Sequence, residues 1–244
     1  MVVTAHPDDE AGAFGGTLRL YHERGLETSV VCLTPGQAAT HRGGTKSDQE
    51  LAAIRRQEFA ESCKVLGVNR AVVLDYADGQ LHRLDLYQVV CEVTRQIREF
   101  RPHVLVTFGP EGAITAHPDH SMVSVFATLA YEWAGRTNRY PDQFTDNVRP
   151  HRVQKLYYGT ANFVLPERQP ISLPPITATI DVTNQLRFQV DAFHRHKTQT
   201  PLFPIFENSL RQRGPNEMFH LAASVNPGKI QIETDLFAGV TEEN

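Results

Sequence analysis

Side chains suited to metal binding and acid–base chemistry stand together near the start of the chain, in the run AHPDDE at 5–10. His6 and Asp9 are three positions apart, so one turn can direct both at the same point. Imidazole with carboxylate suits a borderline divalent metal, zinc above all. Asp8 is not needed as a ligand. A carboxylate that lies beside a metal-bound water without binding the metal can act as a general base. The alternative is a solvated acidic turn whose carboxylates only favour a helix N-terminus.

A second run, HPDH at 117–120, repeats the His-Pro-Asp sequence further along the chain. A catalytic zinc site has three protein ligands and one open position. His6, Asp9 and one histidine of the second run would supply the three ligands, and either His117 or His120 can in principle be the third. The alternative is that the two runs are unrelated surface loops.

Both runs follow a predicted strand. Short apolar stretches predict buried strands, and helical patterns separate them; these stretches are 2–4, 28–33, 71–74 and 103–108. The alternation predicts an α/β fold, a Rossmann-like three-layer sandwich with a mostly parallel sheet. In open sheets of this kind ligands bind beyond the carboxyl ends of the strands, where both runs would lie.

The remaining patterns complete the expected element order. Ser47 and Glu50 predict a capping box at the start of a helix. After residue 150 the patterns predict strands at 153–158, 176–182 and 218–222, and helices at 183–198 and 203–213. We expect a single domain over 1–244, with a core of about 1–160 and a C-terminal elaboration of about 161–244.

The two His-Pro-Asp runs together resemble the PIG-L/LmbE family of zinc-dependent N-deacetylases. Enzymes of that family remove acetyl groups from N-acetylglucosamine-containing substrates and related amides, and the resemblance implies an LmbE-like form of the predicted fold. Shorter family-like segments stand in the expected order, at 33–36, 54–58, 66–68, 78–79 and 196–199. Gln37 departs from the family, because many relatives place an acid after the glycine, and this bears on substrate choice.

The resemblance implies one zinc ion per chain, held by His6, Asp9 and His120, with Asp8 as the general base. It leaves His117 to stabilise the oxyanion or to protonate the leaving amine. Asp119 would hold His117 in an oriented, cationic form, since a nearby carboxylate raises the pKa of a histidine. The alternative for Asp119 is a helix N-cap, and both roles can hold at once.

The resemblance also places Arg55 and Asp78 near the substrate. Arg55 would bind a sugar hydroxyl or an anionic substituent, and Asp78 would accept hydrogen bonds from sugar hydroxyls. The alternatives are a solvated helix pair between Arg55 and Glu58 and a plain Asp-Gly turn at Asp78. His196, inside a family-like segment, is a further candidate for lining the pocket.

Composition limits the classes of partner. The 244 residues carry a net charge of −4, which gives no reason to expect nucleic-acid binding. The three cysteines are scattered without a CxxC pair, so we expect buried thiols in a reducing compartment and a cytoplasmic location. There is no apolar run of membrane-spanning length. A homo-oligomer is compatible with the sequence.

Three functions compete at this point. The first is an N-deacetylase acting on a small N-acetylated amino sugar or conjugate. The second is a related amidase that cleaves a larger acyl group or a thiol conjugate. The third is a noncatalytic, zinc-dependent sugar-binding protein, against which Asp8 argues because binding alone requires no base.

Overall fold

One sheet of seven strands organises the part of the chain that the computed structural model describes, which is residues 1–165, 167, 170–226, 228 and 231–242. The strands are β1 Val2–Thr4, β2 Ser29–Cys32, β3 Arg70–Val73, β4 Val104–Phe108, β5 Lys155–Thr160, β6 Ala178–Asp181 and β7 Asn216–Ser224. Their order is β3-β2-β1-β4-β5-β7-β6. β1 to β5 pair in parallel, and β7 is antiparallel to both of its neighbours. The prediction of a mostly parallel sheet is therefore confirmed.

Helices cover both faces of this sheet. They are α1 Asp9–Glu23, α2 Asp48–Leu66, α3 Leu86–Phe100, α4 Pro118–Ala134, α5 Leu186–Phe193 and α6 Phe203–Arg213. Successive side chains of a strand point to opposite faces. Accordingly Val2 packs in one core with Phe14 of α1, whereas Val3 packs in the other with Phe126 of α4. This arrangement confirms the predicted three-layer α/β sandwich.

The two His-Pro-Asp runs meet between β1 and β4, where the order of the strands across the sheet changes direction. From β1 the chain moves outward to β2 and β3, and it then returns to place β4 on the other side of β1. The loops that leave β1 and β4 therefore diverge to opposite faces and open a crevice between them. The runs at 5–10 and 117–120 occupy those two loops and the helix starts that follow.

Helix α1 lies close against its neighbours because it carries small residues. A Cβ atom added at Gly16 would lie 2.7 Å from the side chain of Val182. The buried carboxylate of Glu217 on β7 accepts hydrogen bonds from the backbone N–H groups of Gly16 and Thr17, each at 2.9 Å. The middle of α1 is thus held against β7, which lies beside the edge strand β6.

Most predicted strands differ from the observed ones by one or two residues at their ends, and two predicted elements differ by more. In place of the single helix expected at 183–198, the chain forms three elements. They are a 3-10 turn at Thr183–Gln185, then α5, and then a second 3-10 segment at Lys197–Leu202. His196 interrupts the expected helix with backbone angles of φ −79° and ψ 65°. The strand expected at 218–222 runs over all of β7, because it pairs along both edges. The Ser47 cap is confirmed, since its side chain accepts from Glu50 N.

Within the described residues, no helix is both long enough and apolar enough to cross a membrane. The division of the chain into a core of about 1–160 and a C-terminal elaboration stays a prediction.

Candidate metal centre and active site

Three histidines and an aspartate gather in the crevice between β1 and β4. His6 lies in the turn after β1, Asp9 opens α1, and His120 lies in the first turn of α4. The ring centroids of His6 and His120 are 5.4 Å apart, and His117 lies 4.8 Å and 5.0 Å from them. His6 and His120 are only 8% and 7% exposed. The structure thus brings the predicted ligands together in a largely buried place.

The donor atoms of this group have the spacing of a zinc site. Asp9 Oδ2 lies 3.7 Å from His6 Nδ1, and Asp9 Oδ1 lies 3.1 Å from His120 Nε2. Four-coordinate zinc with bonds of about 2.0–2.2 Å holds neighbouring ligand atoms roughly 3.3 Å apart. The donor chemistry and these two separations therefore suit zinc, although each separation involves a different oxygen of Asp9. The three histidines also offer nitrogen atoms within 4.8 Å of one another, so His117 is a second candidate for the third ligand.

The other ring nitrogen of each histidine predicted as a ligand, His6 and His120, has its own partner. His6 Nε2 lies 3.0 Å from Asp78 Oδ1 and 3.3 Å from Asp119 Oδ2. His120 Nδ1 lies 3.4 Å from the hydroxyl of Thr115. Metal-binding histidines usually donate their free ring N–H to a carboxylate or another acceptor, which orients the ring. These contacts leave His6 Nδ1 and His120 Nε2 directed at Asp9.

The electrostatics of the crevice favour a bound cation. Burial by itself lowers the pKa of His6, but Asp119, Asp78 and Asp9 raise it to about 10. Burial disfavours charge on Asp9, yet His120, His6 and a backbone N–H outweigh it and hold the pKa of Asp9 below its usual value. Three carboxylates around one imidazole stabilise positive charge, whether a proton or a metal ion carries it.

Asp8 stands beside this group. Within the described part of the chain, its carboxylate makes no hydrogen bond with the three histidines. Its side chain is 16% exposed, and its Oδ2 accepts a hydrogen bond of 3.0 Å from the Arg55 guanidinium. Burial, against the lowering effect of Arg55, raises the pKa of Asp8 to about 6. A carboxylate of this pKa is ionised near neutral pH and is a stronger base than an exposed aspartate.

Arg55 lies beneath Asp8 with its side chain only 3% exposed. Its guanidinium donates to the carbonyl oxygens of Gly36 and Pro7 and to the Asp8 carboxylate. The alternative of a solvated pair with Glu58 is wrong, because Glu58 is buried and accepts from the backbone and hydroxyl of Thr198. Contact of Arg55 with a substrate stays a prediction.

His117 caps the N-terminus of α4. Its Nδ1 accepts a hydrogen bond of 3.1 Å from the backbone N–H of Asp119. Burial, together with the charges of His6 and His120, lowers the pKa of His117 to about 4. The prediction of a cationic His117 therefore needs correction: the ring is neutral near pH 7. Because Nδ1 is the acceptor, the proton lies on Nε2.

Asp119 and Asp78 both turn their carboxylates toward His6. Asp119 also accepts from the backbone N–H groups of Gly79 and Leu81, at 2.7 and 3.3 Å, so it neither caps α4 nor contacts His117 through its carboxylate. The predicted orientation of His117 by this carboxylate is wrong for that reason. Asp78 also accepts from Ala38 N at 2.9 Å. A hydrogen bond from Asp78 to a sugar stays a prediction.

Sequence reasoning missed several supporting residues. Thr115 carries no signal in the sequence that links it to His120. Glu10 belongs to the AHPDDE run, but its type alone is explained by a helix N-terminus. His196 was expected to line the pocket, and that expectation is wrong, because it is 0% exposed and lies against Glu10.

Comparison with known proteins agrees with this geometry. Residues 1–131 match the family model PIG-L, described as GlcNAc-PI de-N-acetylase. A 1D-myo-inositol 2-acetamido-2-deoxy-alpha-D-glucopyranoside deacetylase of Catenulispora acidiphila is 28% identical, over 98% of this chain and 96% of that protein. A mycothiol S-conjugate amidase of Streptomyces coelicolor is 29% identical, over 65% of this chain and 59% of that protein.

Among solved structures, the N,N'-diacetylchitobiose deacetylase of Pyrococcus horikoshii superposes with a TM-score of 0.75. It is 23% identical and covers 90% of this chain and 82% of its own, which supports the fold. The family match spans more than half of the 244 residues and includes both His-Pro-Asp runs. The chain therefore belongs to the PIG-L family and is an enzyme of the deacetylase type, a hydrolase of amide bonds.

Proposed function

We propose that the protein is a zinc-dependent N-deacetylase that hydrolyses the acetamido group of an N-acetylglucosamine-type sugar conjugate. The observation that carries the proposal is the convergence of His6 Nδ1, Asp9 and His120 Nε2, with the carboxylate of Asp8, held by Arg55, beside them. Imidazole and carboxylate donors in a three-ligand set suit zinc with one open position. When bound, zinc lowers the pKa of a coordinated water toward ~7 and polarises a carbonyl group.

The protein residues supply the proton transfers and the orientation. Asp8 accepts the proton of the attacking water, because its pKa of about 6 leaves it ionised at neutral pH. The neutral His117 donates a hydrogen bond from Nε2–H to the carbonyl oxygen as negative charge develops there. Asp119 and Asp78 hold the His6 ring in position. Burial of the crevice strengthens each of these contacts.

The substrate class follows from the relatives. The Catenulispora protein is named for deacetylation of a 2-acetamido-2-deoxy-glucopyranoside linked to inositol, and the match covers nearly all of both chains. We propose a small sugar conjugate of that type as the substrate here. A second candidate is an amidase that acts on a thiol conjugate, because the Streptomyces relative is named for that activity. A cytoplasmic location and self-association stay predictions.

Acetate release from a panel of N-acetylglucosamine conjugates tests the proposal. Protein loaded with zinc should release acetate and a free amine in equal amounts, and a chelator should abolish both. An amidase would instead release a larger acid from thiol conjugates and leave acetamido sugars intact. Release of neither acid by zinc-loaded, folded protein would overturn the proposed function.

A further inference from the structure

A buried pair of charged side chains lies directly behind Asp8. His196 and Glu10 are both 0% exposed, and His196 Nε2 lies 2.7 Å from Glu10 Oε1. Ser62 on α2 donates a second hydrogen bond of 2.5 Å to the same oxygen. The other oxygen, Oε2, accepts from the backbone N–H of Asp8 at 3.0 Å. One carboxylate thus connects two distant donors to the backbone of Asp8.

The backbone of Asp8 has a conformation that needs such support. Its angles are φ 120° and ψ −24°, in a region that residues with a Cβ atom rarely adopt. Strained backbone persists where the surroundings hold it, and it clusters at functional sites. Glu10 holds the N–H of this residue, and Arg55 holds its carboxylate and the preceding carbonyl.

The direction of the pKa shift of His196 agrees with the geometry. Burial lowers the pKa of His196, but Glu10 and Asp8 outweigh burial and the opposing charge of Arg55, so the net direction is upward. His196 Nε2 is therefore a donor to Glu10. Its Nδ1 has no hydrogen-bond partner among the described residues, so the contact with Glu10 is the polar interaction that fixes the ring.

We infer that His196 is a positioning residue, which acts through Glu10 to hold the strained backbone of Asp8 and so aims the carboxylate of the base. The inference rests on the proposed function. It assigns a role in the site to a residue outside the segment 1–131 that matches the family model. The link spans 186 positions of the chain, so the C-terminal part completes a site whose other residues come from the N-terminal part.

Three variants separate positioning from general stability. His196→Leu removes the donor, whereas His196→Gln retains a donor near the position of Nε2. His151→Leu is the matched control, because His151 is likewise buried, at 2% exposed. It donates from Nε2 to the carbonyl of Pro102, and its Nδ1 has no partner among the described residues. It lies near the start of β5, at the opposite end of the sheet.

We expect His196→Leu to keep a full equivalent of zinc and a KM within about threefold of wild type. Its kcat should fall by about 10- to 100-fold, the size of effect that small misplacements of catalytic groups produce. His196→Gln should recover most of the loss, and His151→Leu should leave kcat unchanged. If His196→Leu does not fold, Ser62→Ala removes the other donor to Glu10 and should lower kcat by about threefold at constant KM.

A crystal structure of the His196→Leu variant supplies a readout that is independent of activity. Asp8 should leave the φ region near 120°, while His6, Asp9 and His120 keep their places. Either of two results would overturn the inference. One is an unchanged Asp8 backbone in His196→Leu, and the other is an equal loss of kcat in His196→Leu and His151→Leu. If wild-type protein releases no acetate from any conjugate, the proposed function fails, and the Asp8 backbone alone then decides whether His196 positions it.

Discussion

Replacing Arg55 by Met tests how Arg55 keeps Asp8, the proposed general base, in its ionised form. The change removes a guanidinium that is 3% exposed and that contacts Asp8 and the carbonyls of Gly36 and Pro7. Removing one partner of a buried pair typically costs about 3–5 kcal/mol, because the other charge is left without compensation. Since the Asp8 side chain is 16% exposed, water offsets part of this, and we expect a loss of about 2–4 kcal/mol.

The same change should move the pH dependence of the reaction. Arg55 lowers the pKa of Asp8, which lies at about 6 with the guanidinium present. Without it the pKa of Asp8 rises, so the base is protonated over a wider range of acidic pH. The acid limb of the kcat profile should move upward by about one pH unit, with a larger loss of activity at pH 6 than at pH 8.

Urea unfolding and pH–rate profiles measure these two effects. Arg56→Met is the matched control, because Arg56 also donates to two backbone carbonyls, of Val73 and Leu74, but its carboxylate partner Asp75 is 92% exposed. Exposed pairs contribute about 0–1 kcal/mol. The reasoning fails if both methionine variants lose the same stability and the acid limb does not move. A rise in KM with an unchanged acid limb would instead favour contact between Arg55 and the substrate.

Three further predictions concern single side chains. Asp8→Asn should keep zinc and lose about 10²–10⁴-fold in kcat; near-normal turnover in the amide variant would make Asp8 structural. Asp119→Asn should weaken zinc binding by about 10–100-fold, because it loosens the His6 ring; isothermal titration measures this, and an unchanged Kd contradicts it. Burial lowers the pKa of His151 to about 4. Between pH 6.5 and 4 the folded protein thus binds fewer protons than the unfolded chain. The free energy of unfolding therefore decreases as the pH falls through that range. Wild type should lose about 2 kcal/mol more than His151→Leu between pH 7 and 4.5 in urea unfolding, and equal losses would refute the assignment.

The architecture was predictable where local patterns decide it. Alternating strand and helix patterns indicated the parallel part of the sheet, and Ser47 marked the start of α2. The position of β7 between β5 and β6 was not predictable, because strand order depends on pairings between segments far apart in the chain. The break in the helix after Phe193 has a similar origin, since His196 leaves the helix and contacts Glu10, 186 positions away.

The site was predictable in composition but not in its contacts. Residue type and spacing indicated His6, Asp9 and one histidine of the second run, and the family resemblance selected His120. The partners of Asp119 were not predictable, because the backbone N–H groups that bind it come from the loop at 79–81. The alternative of Asp119 as the helix cap is also wrong, because His117 occupies that position. Contacts that cross between loops depend on the complete fold.

The most direct test compares zinc content and acetate release in the His120→Ala and His117→Ala variants. With His120 as a ligand, His120→Ala should lose most of its zinc and all measurable acetate release. His117→Ala should keep about one zinc ion per chain and lose about 10²–10³-fold in kcat, because it removes a donor to the developing oxyanion. Full zinc occupancy in His120→Ala, together with loss of zinc from His117→Ala, would contradict the assignment of the metal centre.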